Sequence, residues 1–217
     1  MSDFLQQRNS MVDGQIRPNG VTDPRITDRM RAVPREFFVP KQKQAIAYMD
    51  EVIEIAPGRF AMEPMFLAKL IQALDVEPTD SVLIIGAGLG YSAAVLGGLC
   101  DTVIGLEEDE ALAQAASDGL PERGVDNAAI VTGPLVDGFA SQAPYDVIMI
   151  DGAYETVPDI LLEQLAEDGR LGGIRVDGRS GQAEIYVKTD GVVSKRVAFD
   201  AVVPVLPGFD APRGFVL

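Results

Sequence analysis

The sequence predicts an α/β doubly wound fold, with a mostly parallel sheet, a C-terminal antiparallel hairpin and an N-terminal helical cap. The runs Val-Leu-Ile-Ile at 82–85 and Val-Ile-Met-Ile at 147–150 are apolar throughout, as central parallel strands must be. Such runs alternate with helical patterns from residue 81 to residue 176, which is typical of strands joined by crossover helices. We expect one domain over residues 1–217, with the cap at 1–60 and the core at 61–217.

The cap is predicted to be helical and irregular. Asp23 followed by Pro24 is typical of an N-cap and a first helical position, and Pro34 ends that helix. A second helix is predicted over residues 35–48, interrupted at Pro40. Pro64 then begins a clearer helix, whose apolar residues recur at helical spacing.

The core is predicted as strands and helices in alternation. Strands are expected at 81–85, 102–106, 129–132, 146–150 and 170–176, followed by a hairpin of 184–188 and 192–203. Helices are expected near 91–99, 109–117 and 158–167, the last with Gly169 as its C-cap. The turn of the hairpin contains Gly191.

The composition excludes several classes of function. With 18 basic and 33 acidic residues the formal charge is −15, which repels nucleic acid and anionic membranes, so we expect neither as a partner. The chain has no histidine and one cysteine, Cys100, so no metal site and no Ser-His or Cys-His catalysis is expected. The lone cysteine, in an apolar run, and an N-terminus without a signal-peptide core indicate a cytoplasmic protein.

A glycine-rich turn follows the first predicted core strand, where ligands bind in open α/β sheets. It reads Gly86-Ala87-Gly88-Leu89-Gly90-Tyr91. The dinucleotide fingerprint requires glycine at the place of Tyr91, which makes a nucleotide-dependent oxidoreductase a weak alternative. The spacing G-x-G-x-G instead resembles that of class I S-adenosylmethionine methyltransferases.

The second core strand ends in Glu107-Glu108, about twenty residues after the turn. A carboxylate at this point can accept hydrogen bonds from both ribose hydroxyls of an adenosine. Glu107 has the right register for that role, and Glu108 is the second candidate. The alternative is that both residues only add favourable negative charge at a helix N-terminus.

Four segments together resemble the protein-L-isoaspartate O-methyltransferase family. They lie in the same order and at similar spacing along most of the chain, at residues 32–40, 81–99, 143–150 and 162–171. The resemblance implies a Rossmann-like methyltransferase sheet, S-adenosylmethionine as cosubstrate and an isoaspartyl protein or peptide as substrate. It also implies cosubstrate contacts from Gly86, Ala87, Gly88, Gly90 and Tyr91, together with the acidic pair at 107–108.

The chain departs from the family pattern at three positions that face ligands in that family. Met62 replaces the serine of the substrate loop, at the position that the resemblance implies is catalytic, and a thioether cannot donate a hydrogen bond as that serine does. Glu63 and Pro64 beside it are expected to contact substrate. Ile84 stands where the family strand has a carboxylate. Pro134 stands near the place of an aspartate that approaches adenine.

Asp151 is a further catalytic candidate, because it follows the fourth core strand and so faces the reaction zone. The alternative is an aspartate that caps the turn at Gly152. Tyr91 can equally be a core residue. Most of the N-terminal arginines are expected to form a solvated face, with one of them a possible binder of a substrate carboxylate; they are Arg17, Arg25, Arg29, Arg31 and Arg35.

Two other classes of function stay open at this stage. The three departures favour a degenerate family member that keeps the fold and serves as a binding or assembly module. The retained glycines and Glu107 favour an enzyme, either of the isoaspartyl-repair type or with a different carboxylate or small-molecule acceptor.

Overall fold

A computed structural model describes residues 3–211. Its strands are β1 (Ile53–Ala56), β2 (Arg59–Ala61), β3 (Ser81–Ile85), β4 (Thr102–Glu107), β5 (Ala128–Thr132), β6 (Tyr145–Tyr154), β7 (Leu165–Asp177), β8 (Ser180–Thr189) and β9 (Val192–Asp200). Its α-helices are α1 (Phe4–Met11), α2 (Pro24–Ala32), α3 (Pro64–Ala73), α4 (Tyr91–Leu96), α5 (Glu110–Gly119) and α6 (Asp159–Glu163).

The central sheet has seven strands in the order β5-β4-β3-β6-β7-β8-β9. The pairs from β5 to β7 are parallel, and β8 and β9 are added antiparallel. From β3 the chain first adds β4 and β5 on one side, and it then returns to add β6 and β7 on the other side. The strand order therefore reverses between β3 and β6. The predicted fold class is therefore confirmed, and the ligand-binding edge expected for it lies at the carboxyl ends of β3, β4 and β6.

The two central strands are buried on both faces, as their composition predicted. Residues 82–85 of β3 and 147–150 of β6 expose at most 1% of their surface. Helices α2, α3 and α4 pack on one face of this sheet, where Ile71, Leu74 and Leu96 are fully buried. Among residues 3–211 no helix is long and apolar enough to cross a membrane.

The helical cap differs from its prediction in two places. The helix expected at 35–48 is two 3₁₀ segments, Arg35–Phe38 and Lys41–Ile46, because Pro40 separates them. Residues 53–61, expected to be helical or irregular, form the antiparallel pair β1–β2, which is a separate two-stranded sheet. The alternation of Ile53 and Ile55 before a Pro-Gly turn is the strand signal that this prediction missed.

The helix expected at 158–167 is also wrong in its second half. Helix α6 ends at Glu163, and β7 begins at Leu165, so Gly169 lies in a strand rather than at a helix C-cap. The side chain of Gln164 explains the early end, because it accepts from Phe139 N and donates to Asp137 O, both at 2.8 Å. These bonds fix the chain to a neighbouring loop where another helical turn would have to form.

Candidate functional site

The glycine-rich turn joins β3 to α4, and its three glycines adopt left-handed backbone conformations. Their φ angles are +84° at Gly86, +56° at Gly88 and +90° at Gly90, which residues with a side chain rarely adopt. The amides of Gly86 and Ala87 both donate to the carbonyl of Leu106, at 2.9 and 3.0 Å. The turn is thus fixed against the end of β4, and Gly90 N donates within the turn to Ala87 O at 2.9 Å.

Glu107 is the last residue of β4 and is fully buried. Three backbone amides donate to its carboxylate. Gly88 N donates to Oε2 at 2.7 Å, while Glu108 N and Asp109 N donate to Oε1 at 2.9 and 3.1 Å. The glycine turn and this carboxylate are therefore one unit, because the turn supplies a donor that holds Glu107 in place. Glu108, the second candidate, is exposed.

The carboxylate of Glu107 also binds a residue that the sequence did not single out. Arg59, on β2, donates through Nη1 to Oε1 and through Nη2 to Oε2, the latter at 2.9 Å. Arg59 is 4% exposed, so this is a buried, bidentate ion pair. Its Nε is buried without a hydrogen-bond partner among the described residues. Since the pair joins positions 48 residues apart, no local pattern could have predicted it.

Two apolar side chains cover the glycines of the turn. A Cβ placed on Gly88 would lie 2.7 Å from Cδ1 of Ile55, on β1, and one placed on Gly86 would lie 3.0 Å from Cδ1 of Leu206. Leu206 belongs to the segment after β9, which runs beside β6: Leu206 N donates to Ala153 O at 2.9 Å. The cavity between Ile55 and the turn has a volume of about 20 Å³.

The half-buried carboxylate of Asp151 lines this small cavity. Asp151 lies inside β6, which continues to Tyr154, so it does not cap a turn at Gly152 as the alternative reading expected. Burial raises the pKa of Asp151 to about 6, although Ser92 and the guanidinium groups of Arg35 and Arg59 lower it. The side chain is therefore ionised in most molecules at pH 7, and the protonated form becomes the main one below about pH 6.

Arg35 differs from the solvated face expected for the N-terminal arginines. It is 1% exposed and donates to Ala47 O at 2.9 Å and to Met62 O at 2.7 Å. Its guanidinium lies 4.5 Å from the ring centre of Tyr91, which is the first residue of α4 and is itself buried. The hydroxyl of Tyr91 has no hydrogen-bond partner among the described residues. Arg35 thus ties the cap to the residues that line the site.

The predicted substrate loop lies at the start of α3. Met62 is 3% exposed and lines the small cavity together with Asp151. Glu63 is the N-cap residue of α3, and Pro64 is its first residue. Burial raises the pKa of Glu63, and its Oε2 is buried without a partner in the described part of the chain.

Ile84 and Pro134, the other two departures from the family pattern, lie in different parts of the sheet. Ile84 is fully buried in the middle of the sheet, paired with Gly105 on one side and Met149 on the other. A carboxylate there would need a partner that this apolar environment does not provide. Pro134 follows β5, whose last residue, Thr132, is paired with Glu107.

The residues present match the chemistry of an adenosyl ligand, but the space does not. A glycine turn beside a strand-end carboxylate is the arrangement that holds an adenosine ribose in this fold class. A site for a small molecule has a volume of about 300–1,000 Å³, whereas the cavity here would hold little more than one water molecule. In this conformation Arg59, Ile55 and Leu206 fill the place that the ligand would need.

A second cleft, groups of metal-ligating side chains and Cys100 are the other features that bear on binding or catalysis. A cleft of about 700 Å³ is lined by residues of β7 and β8 and by residues 200–202, none of which lines the cavity at the glycine turn. Within residues 3–211 no group of three His, Cys, Asp or Glu side chains is arranged to hold a metal ion. Cys100 is buried, and burial raises the pKa of its thiol to about 12.

Comparisons with known proteins agree on one family. The family model for protein-L-isoaspartate(D-aspartate) O-methyltransferase matches residues 6–206. The protein-L-isoaspartate O-methyltransferase of Roseiflexus castenholzii is 38% identical over 208 residues, covering 95% of this chain and 94% of the relative. That of Herpetosiphon aurantiacus is 41% identical over 172 residues, covering 79% and 77%.

A solved structure shows the same fold. A protein-L-isoaspartate O-methyltransferase from Plasmodium falciparum, in complex with S-adenosyl-L-homocysteine, superposes with a TM-score of 0.78 over 92% of this chain and 97% of that one. Its sequence identity is 20%, so the likeness concerns the fold alone. With the family match and the curated relatives, the conclusion is that this chain belongs to the protein-L-isoaspartate(D-aspartate) O-methyltransferase family.

Proposed function

We propose that this protein transfers a methyl group from S-adenosylmethionine to the carboxyl group of L-isoaspartyl residues in damaged proteins or peptides. The observation that carries the proposal is the unit formed by the glycine turn and Glu107, in a chain that belongs to the corresponding family. A carboxylate acceptor is already nucleophilic and a sulfonium is an activated leaving group. The reaction therefore needs mainly positioning, which suits a chain without histidine.

Each site residue has a role in this proposal. Glu107 binds the ribose hydroxyls, and residues 86–91 line the methionine and adenosine parts of the donor. Met62, Glu63 and Pro64 form the acceptor loop, and Asp151 lies between donor and acceptor. The protonated form of Asp151 supports a hydrogen bond from this side chain to an acceptor carboxylate. The single cysteine supports a reducing compartment, and we propose the cytoplasm.

A second candidate function is a non-catalytic binding or assembly module. It is favoured by the filled site, where the cavity has a volume of about 20 Å³ and Glu107 is paired with Arg59. Ile84 and Met62 support the same alternative because each replaces a polar group of the family pattern, and Pro134 supports it because it stands near the place of the family's aspartate.

Methyl transfer to two peptides of the same sequence separates these functions. One peptide carries an L-isoaspartyl residue and the other a normal aspartyl residue. With S-adenosylmethionine as donor, we expect methyl ester formation on the isoaspartyl peptide only. No product from either peptide at millimolar donor would contradict the enzyme, and equal methylation of both would contradict the proposed acceptor.

Two neighbouring glutamates provide matched variants for this assay. Glu107→Gln should raise the donor KM by about 10- to 100-fold, because it weakens hydrogen bonds worth about 1.5–3 kcal/mol to a charged acceptor. Glu108→Gln removes the same charge from an exposed position and should leave the KM within about twofold. Equal effects of the two changes would contradict the role given to Glu107.

A further inference from the structure

The hairpin of β1 and β2 fills the place that the methyl donor would occupy, and it does so through specific contacts. Arg59 makes two hydrogen bonds to Glu107, one to each carboxylate oxygen. Ile55, at the register shift between β1 and β2, packs on Gly88. The hairpin therefore contacts both parts of the unit that the proposed function assigns to adenosine.

The carboxylate of Glu107 keeps hydrogen-bond donors when the guanidinium of Arg59 moves away from it. Three backbone amides donate to the carboxylate whatever Arg59 does, so its charge stays partly satisfied without the guanidinium. Departure of Arg59 frees one acceptor position on each oxygen. A ribose offers two neighbouring hydroxyl donors, the same number that Arg59 supplies.

The hairpin has little backbone pairing of its own. It is a two-stranded sheet with three paired positions, separate from the seven-stranded sheet, and such hairpins are marginally stable alone. The Nε of Arg59 is buried without a partner in the described chain, which costs free energy in this conformation. Arg35 binds the residue directly after β2, through its bond to Met62 O, and its other hydrogen bond goes to Ala47 O rather than to the turn between the strands.

We infer that the β1–β2 hairpin is an autoinhibitory plug, in which Arg59 takes the place of the donor's ribose on Glu107 and Ile55 covers the glycine turn. This inference rests on the proposed function. Binding of the donor then requires the plug to open. The apparent affinity is reduced by the fraction of molecules that are open, so weakening the plug tightens binding.

Calorimetric titration with S-adenosylhomocysteine tests the plug in the full-length protein. Arg59→Gln keeps a hydrogen-bonding side chain but loses the bidentate ion pair, and we expect its Kd to fall about tenfold below that of the unchanged protein. Ile55→Ala leaves the ion pair in place and should lower the Kd in the same direction. Arg17→Gln, at an exposed position of the cap, removes the same charge and should leave the Kd unchanged.

The outcomes separate the plug from the function. Tighter binding by both hairpin variants supports the plug. Unchanged or weaker binding by these variants, with measurable binding by the original protein, overturns the plug and leaves the methyltransferase proposal standing. No binding by any of the proteins at millimolar ligand overturns both, because removing the plug then opens no site. Thermal unfolding of each variant checks that it is folded.

Discussion

Asp151 is a residue of the site whose ionisation is coupled to folding. Its pKa is raised to about 6 from an ordinary value of 3.8, chiefly by burial. The folded state therefore holds this proton more tightly than the unfolded chain does. The resulting stabilisation is fully present below about pH 4 and is lost as the pH rises to about 6, at a cost of about 3 kcal/mol.

The variant Asp151→Asn should show this cost directly. At pH 8 its free energy of unfolding should exceed that of the original protein by up to about 3 kcal/mol, since the amide carries no charge to bury. Below pH 4 the two proteins should be equally stable. Urea denaturation from pH 3.5 to 8 measures the difference, with Asp126→Asn, at an exposed position, as control. A difference that stays constant over this pH range would contradict the raised pKa.

At the scale of elements, helices α2 and α4 are joined by one side chain. Arg29 donates through Nε and Nη2 to the carbonyl of Ala94, at 3.1 and 2.7 Å. Its guanidinium lies against Gly98, where a Cβ would be 2.4 Å from Nε. The short α4 is thereby held under the cap, and a glycine is needed just after its end for the arginine to fit.

Gly98→Ala should therefore destabilise the protein by about 1–3 kcal/mol, because the added methyl group displaces Arg29 from its acceptor. The double variant with Arg29→Ala should lose less than the sum of the two single variants, since both remove the same contact. Gly14→Ala is the matched control: nothing lies within 4 Å of its Cβ, and helix propensity predicts a small stabilisation. Denaturant unfolding measures all four, and additivity would contradict the shared contact.

The elements that were predicted correctly from the sequence are those whose pattern lies within a few neighbouring residues. Strand β3 and the end of β4 could be placed because the first is apolar on both faces and the second ends in acidic residues at a characteristic distance from the turn. The hairpin was missed because its strands have three and four residues, too short for a clear periodicity. The role of Arg59 could not be predicted, because it depends on tertiary folding that brings β2 beside Glu107 at the end of β4.

At the scale of the whole molecule, the basic groups are distributed unevenly between interior and surface. Arg35 and Arg59 are buried, and Arg29 points between two helices. Formally the chain carries a charge of −15, and only a few carboxylates are buried beside these arginines, so most of the excess negative charge lies on the exposed surface. Repulsion among surface carboxylates therefore opposes the folded state over much of the molecule.

Added salt should therefore stabilise the protein. Raising NaCl from about 0.02 to 0.5 M at pH 8 shortens the Debye length to a few ångströms and screens this repulsion. Each kcal/mol of relief should raise the Tm by about 2–4 °C for a chain of this length. At pH 5, where part of the carboxylates are protonated, the gain should be smaller. Calorimetric unfolding at both pH values measures the effect. A Tm that falls with salt at pH 8 would mean that surface ion pairs outweigh the net repulsion.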